Sequence, residues 1–82
     1  MEYVVIFEED ENGCSAYVPD LPGCIAAGDT IDEVRILIAE AIEFHIEGLR
    51  EDGEVIPLPI SSLSIEKKQG VSSALITARA EL

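Results

Sequence analysis

The chain predicts a small α+β domain with the element order β-β-β-α-β, a mixed four-stranded sheet of strand order 3-2-1-4 and one long helix packed on one face. Three observations predict it. Short runs rich in β-branched and aromatic residues, each closed by Gly, Pro or Asn, fill the chain as far as Asp29. A capping signature, followed by apolar residues at intervals of three and four, then reaches almost to Gly53. Near the end, apolar and polar residues alternate, as they do in a half-buried strand. With 82 residues, 48% of them apolar, the chain supports one modest core and a single domain over 1–82.

Tyr3-Val4-Val5-Ile6-Phe7 has the composition of a first strand. Asp10-Glu11-Asn12-Gly13 is a turn cluster, with Asn-Gly as the hairpin signal. Ser15 to Val18 returns as the second strand and stops at Pro19. Asp20-Leu21-Pro22-Gly23 is a second turn, and Cys24 to Ala27 a short third strand ended by Gly28-Asp29.

Thr30-Ile31-Asp32-Glu33 matches a capping box, with Thr30 at the N-cap and Glu33 three positions on. Ile31, Val34, Ile38, Ala41, Ile42, His45 and Leu49 form one face of an amphipathic helix over residues 31–52. Gly53 terminates it, and Pro57 and Pro59 prevent its resumption. Ser61-Ser62 could cap a single helical turn from Leu63 to Lys68, ended by Gly70. From Ala74 onward, Ala74, Ile76, Ala78 and Ala80 share one face of a last strand, with Thr77, Arg79 and Glu81 on the other. Short loops make the first three strands an antiparallel meander, and the last strand fits best beside the first.

Both faces of the first strand are apolar: Tyr3, Val5 and Phe7 point one way, Val4 and Ile6 the other. One helix covers one face of such a sheet. The other must meet the segment from Pro57 to Lys68, a second protomer or a partner. A homodimer or higher oligomer is therefore expected, with Tyr3, Val5 and Phe7 as candidates for its interface.

Charge narrows the function classes. The chain has 17 Asp and Glu against 5 Lys and Arg, a net charge of -12, and 15 of those acids precede Val55. Nucleic-acid affinity rests on neutralising phosphates with cations, so no direct nucleic-acid binding is expected of this chain alone. Its partner should be basic. No apolar run is long enough to span a membrane, and the start Met1-Glu2-Tyr3 has no basic segment of a signal peptide. Two cysteines, Cys14 and Cys24, read as reduced, buried thiols of a cytoplasmic protein. With His45 as the one histidine, neither a metal nor another cofactor is expected.

Catalysis has no constellation. Glu8 to Glu11 lie at the end of the first strand and read as solvated hairpin charge. Asp32 and Glu33 complement the helix dipole. His45 reads as a core histidine, and neither cysteine has an activating base. The most distinctive segment is Asp20-Leu21-Pro22-Gly23-Cys24. Pro22 and Gly23 suit a tight turn, while Asp20 and Leu21 at a loop tip, with Pro22 and Gly23, are the candidate partner-binding residues.

Taken in order, Tyr3 to Phe7, the Asp20 to Cys24 turn, Gly28-Asp29-Thr30, the helix through Ala41-Ile42 and His45, and Gly53-Glu54-Val55-Ile56-Pro57-Leu58-Pro59 resemble the HicB family of toxin–antitoxin antitoxins. The resemblance covers most of residues 3 to 59, and the final strand suits the family's last strand. It implies a partly degraded RNase H-like fold without catalytic activity. It also implies a partner, a small basic HicA-like toxin that cleaves mRNA with a histidine and is neutralised by occlusion of its active site. Many members carry a C-terminal DNA-binding domain; this sequence stops at Leu82, about where such a domain would begin, so operator binding is not expected. The alternative is a stand-alone homo-oligomeric HicB-like domain that binds another ligand or protein.

Overall fold

The computed structural model describes residues 2–60 and 71–77, and the fold follows from how these residues pair and pack. β1 (Glu2–Asp10) and β2 (Gly13–Tyr17) form an antiparallel hairpin in which Asp10 lies opposite Gly13, so Glu11 and Asn12 span the turn. The Asn12 backbone N–H donates to Asp10 Oδ1 at 2.7 Å and fixes that turn. β1 is longer than its apolar run. Glu8, Glu9 and Asp10 continue the ladder with Ser15, Cys14 and Gly13, because backbone pairing does not require apolar side chains and these carboxylates stay in solvent. β3 (Ile25–Gly28) pairs with β2, and Cys14 lies opposite Gly28. The two chains approach closely beside that pair: a methyl group on Gly13, where φ is +145°, would lie 2.7 Å from the Gly28 carbonyl oxygen.

α1 (Ile31–Glu51) begins where the capping pattern places it. Thr30 has an extended backbone, and its hydroxyl accepts from the Glu33 N–H at 3.2 Å. At the other end the Glu54 N–H donates to the Leu49 carbonyl at 2.9 Å and the Gly53 N–H to the Arg50 carbonyl at 3.1 Å. These are the two bonds of a Schellman motif, and they satisfy carbonyls that the helix itself leaves open. Val34, Ile38, Ile42 and Ile46, spaced four apart, are the buried line of the helix.

That line packs on Tyr3, Val5 and Phe7 of β1 together with Cys14, Ala16, Val18, Leu21 and Cys24. Ala74 and Ile76 of β4 (Val71–Thr77) join the rim of this core. The Arg35 guanidinium stands 5.5 Å from the Phe7 ring centroid and covers the core's edge with a cation–π contact. After the helix, Ile56 packs against the same core, and the Tyr3 hydroxyl donates to the Pro57 carbonyl at 2.6 Å. The chain beyond α1 is thus tied to the start of β1.

The strand order is β3-β2-β1-β4, as the sequence predicts, but the sheet is antiparallel throughout and not mixed. β4 runs from Val71 opposite Glu8 to Thr77 opposite Glu2. A short link from the end of α1 would have started β4 at the Glu2 end and made it parallel to β1. Residues 52–70 are instead long enough to return to the hairpin end, at about 3.3 Å per extended residue. A second correction concerns Tyr3, Val5 and Phe7. All three are fully buried inside the chain, beneath α1, so they are its own core and not an oligomer interface. The expected turn from Leu63 to Lys68 and the strand positions from Ala78 onward lie outside the described residues.

Two measurements test this packing. Ile38→Ala removes a fully buried side chain and should cost about 2–5 kcal/mol in urea unfolding, whereas Ile36→Ala, on the exposed side of the same helix, should stay within about 0.5 kcal/mol. The second is a pH dependence. Burial, with the nearby Asp20 charge, raises the Tyr3 phenol above its usual 10.0. Burial likewise raises Cys14, with help from Glu9, and Cys24 above 9.0. Each raised value means that the unfolded chain loses its proton first, so the stability these groups contribute is complete below about pH 9 and falls as pH climbs past 9 and then 10. Tyr3→Phe should lose about 1 kcal/mol at pH 7 with its hydrogen bond, and the gap to wild type should narrow above pH 10. A gap that widens there would refute the assignment.

Candidate partner-binding surface

The side of the sheet facing away from α1 is built by the alternation of each strand. Register places Ile25, Tyr17 and Ile6 in one row across β3, β2 and β1, with Ser73 of β4 continuing it. Val4 lies opposite Leu75 in the next row toward the β1 start. Ile6 and Val4 are buried, while Tyr17 is 40%, Ile25 70% and Leu75 48% exposed. Apolar surface is thus presented to solvent around a filled centre, the arrangement of an apolar patch with anchors available to a partner.

Acid borders this surface. Glu2 stands at one end, and Glu8 and Asp10 at the other, all exposed. At the hairpin end of the sheet an open cleft of about 470 Å³ is lined by Glu8, Glu9, Asp10, Asn12, Ser15 and Val71 among others.

The loop between β2 and β3 adjoins the Tyr17–Ile25 pair, since it connects them. It consists of two successive tight turns. The Leu21 N–H donates to the Val18 carbonyl at 3.1 Å and the Cys24 N–H to the Leu21 carbonyl at 3.0 Å, while the Val18 N–H closes the loop on the Cys24 carbonyl at 3.1 Å. Pro19 and Pro22 hold the second position of each turn, where their fixed φ costs nothing. Gly23 has φ +85°, the value a type II turn requires at its third position.

Of the four loop residues expected to bind a partner, Pro22 and Gly23 are exposed and Asp20 is half-buried. Leu21 is not available. Its side chain is fully buried in the core under the loop, because the two turns fold it inward, so it anchors the loop and no partner. Tyr17 and Ile25 are the exposed apolar groups beside it. The signal for Tyr17 lies in the alternation of the second strand, where Ala16 and Val18 point inward and leave Ser15 and Tyr17 outward.

The remaining chemistry-bearing groups are scattered. His45 is half-buried on α1, and Asp32 and Glu33 are exposed in its first turn. Cys14 and Cys24 are buried free thiols. Among the described residues no three of His, Cys, Asp and Glu converge so as to hold a metal ion, and no helix is long and apolar enough to cross a membrane.

Comparison with known proteins agrees with this architecture. The family described as HicB-like antitoxin of bacterial toxin–antitoxin system matches residues 3–78. A 14.9 kDa protein from the rep-hol intergenic region of Haemophilus phage HP1 is 47% identical over 57 residues, 70% of this chain and 43% of that protein. Antitoxin HicB 2 of Photorhabdus laumondii is 36% identical over 59 residues, 72% of this chain and 42% of that one. The chain therefore matches less than half the length of each of these two relatives. Among solved structures, the N-terminal domain of Burkholderia pseudomallei antitoxin HicB superposes with a TM-score of 0.80 at 29% identity, covering 98% of this chain and 100% of that domain. A chain of a HicA3 and HicB3 toxin–antitoxin complex superposes with a TM-score of 0.77 at 26% identity, covering 98% and 100%.

Proposed function

The chain belongs to the HicB-like antitoxins of bacterial toxin–antitoxin systems, and from that premise we propose that it neutralises a small basic RNA-cleaving toxin by lying over the toxin's active site. The observation that carries this reading is the exposed Tyr17–Ile25 pair beside the Asp20 loop and close to an acidic rim, on a chain of net charge -12. An RNase must present cations to RNA phosphates. A surface with this sign competes for the same cations and is drawn to them over a long range. That one solved neighbour is a chain of a HicA3 and HicB3 toxin–antitoxin complex supports the same partner class.

In this reading the protein acts by binding and not by catalysis, in the cytoplasm where such a toxin meets mRNA. The loop residues Asp20, Pro22 and Gly23 contribute the rim, and Tyr17 and Ile25 take the anchoring role that the buried Leu21 cannot. Tyrosine is among the side chains enriched at binding hot spots, and Ile25 adds apolar surface beside Tyr17.

Surface plasmon resonance against the cognate toxin, with an RNA-cleavage assay alongside, tests the assignment. Tyr17→Ala and Ile25→Ala should each speed dissociation about tenfold or more, with little dependence on salt. Asp20→Asn should slow association by less than about tenfold, and the effect should shrink at high salt because screening acts over about 8 Å at physiological ionic strength. Wild-type rates and undiminished RNA protection in all three variants would remove the toxin from this surface. Separately, the charge balance predicts no sequence-specific gel shift of operator DNA by this chain alone at about 0.15 M salt. A specific shift would mean that a cationic surface exists which the net charge conceals.

A further inference from the structure

α1 buries one line of residues and turns a second apolar line to solvent. Leu37, Ala41, Phe44 and Gly48 recur at intervals of four, three and four, the seam spacing of a helix that packs on another helix. Phe44 is 79% and Leu37 36% exposed, while Ala41 is half-buried at the margin of the core. Beside this seam Glu33, Glu40 and Glu47 follow one another at intervals of seven, all exposed. The two bases of α1 do not interrupt that row: Arg35 stands over the Phe7 ring, and Arg50 falls on the line of Asp32 and Glu43. Glu47 and Glu51, four apart, repel each other, which costs helix stability that a neighbouring cation would restore.

Gly48 is a separate observation that points the same way. Glycine weakens a helix relative to alanine. Nothing in the fold requires it here. The positive-φ glycines are Gly13, Gly23 and Gly53, and a methyl group at Gly48 would meet nothing within 4 Å beyond its own stretch of helix. The space it leaves lies at one end of the seam, one turn beyond Phe44. A gap with no use inside the molecule lets another backbone come close from outside.

We propose that this face of α1 receives an amphipathic helix of a basic protein, packed along Leu37 and Phe44 and closest at Gly48, with Lys or Arg on the flank that meets Glu33, Glu40 and Glu47. The apolar seam supplies the anchors, the carboxylate row decides which flank of the incoming helix must be basic, and Gly48 sets how near it comes. A second copy of α1 is the wrong occupant, since it would bring carboxylates against carboxylates. Nucleic acid is excluded by the same sign of charge. α1 lies on the opposite face of the sheet from Tyr17 and Ile25, so occupancy of this seam is independent of any partner there.

Fluorescence anisotropy of the full chain with a labelled synthetic peptide tests this. The probe is a helix of about 21 residues, with Leu and Ala at the seam positions of each heptad and Lys along one flank. One control peptide has the same composition in scrambled order, and the other has Glu in place of Lys. The patterned Lys peptide should bind, and both controls should bind at least about tenfold more weakly. Phe44→Ala should weaken binding of the patterned peptide by at least about tenfold. Gly48→Ala should also weaken it, yet raise the urea midpoint of the free chain, because alanine is the better helix former. A merely structural glycine would not give those opposite signs. Ile36→Ala, on the far side of the carboxylate row, should leave binding unchanged. No binding of the patterned peptide at about 0.1 mM, equal binding of the scrambled one, or indifference to both Phe44→Ala and Gly48→Ala would overturn the proposal.

Discussion

One helix on a four-stranded sheet is the constraint on which everything else here depends. Val34, Ile38, Ile42 and Ile46 seal Tyr3, Val5 and Phe7, and in doing so they use the whole buried line of α1. Nothing of the helix remains for the other side of the sheet. A chain of this size buries only about 60% of the surface its unfolded form exposes, so apolar side chains remain at its surface. The exposed Tyr17, Ile25 and Leu75 are consequences of that arithmetic before they are features of a binding surface. The side chains of Tyr17, Ile25 and Leu75, left exposed on the sheet face away from α1, suit this domain to interaction.

Local signals carried most of the fold. The capping box at Thr30, the apolar spacing of α1 and the glycine that follows it are written within a few residues of where they act, and the helix begins at the expected residue and ends one residue from the expected end. The strand order was legible too, because loop lengths and the doubly apolar first strand leave few alternatives. What failed depended on distance. The direction of β4 is set by how far residues 52–70 can reach, which no local pattern encodes. The extension of β1 through Glu8, Glu9 and Asp10 runs against composition, since a ladder of backbone bonds overrides the low strand preference of acids at an exposed end.

The surface was less legible for the same reason. Asp20-Leu21-Pro22-Gly23 has the composition of a turn and forms one, but a loop made of two turns sends its residues in different directions, and Leu21 goes to the core. Which side of β1 faces α1 could not be chosen from Tyr3, Val5 and Phe7 against Val4 and Ile6, because both sets are apolar. Once the helix takes the side of Tyr3, the open side is fixed as that of Tyr17 and Ile25. The acidity of the body, by contrast, is readable by counting, and it constrains partners irrespective of the fold.

The pairing of Glu2 with Thr77 has a consequence for how the protein is born. β1, β2, β3 and α1 are complete in sequence before any of β4 has been translated, and at the usual pace of synthesis the first strand waits several seconds for its neighbour. Through that interval the emerging chain holds a three-stranded sheet with its most apolar strand on the border. Closing it requires a contact spanning nearly the entire sequence, the slowest kind to form. Chains made side by side on one messenger therefore offer each other the missing strand while each still lacks its own, and a β4 donated in trans would satisfy the same register. The order of translation makes exchange of that strand between nascent neighbours a built-in hazard of the topology.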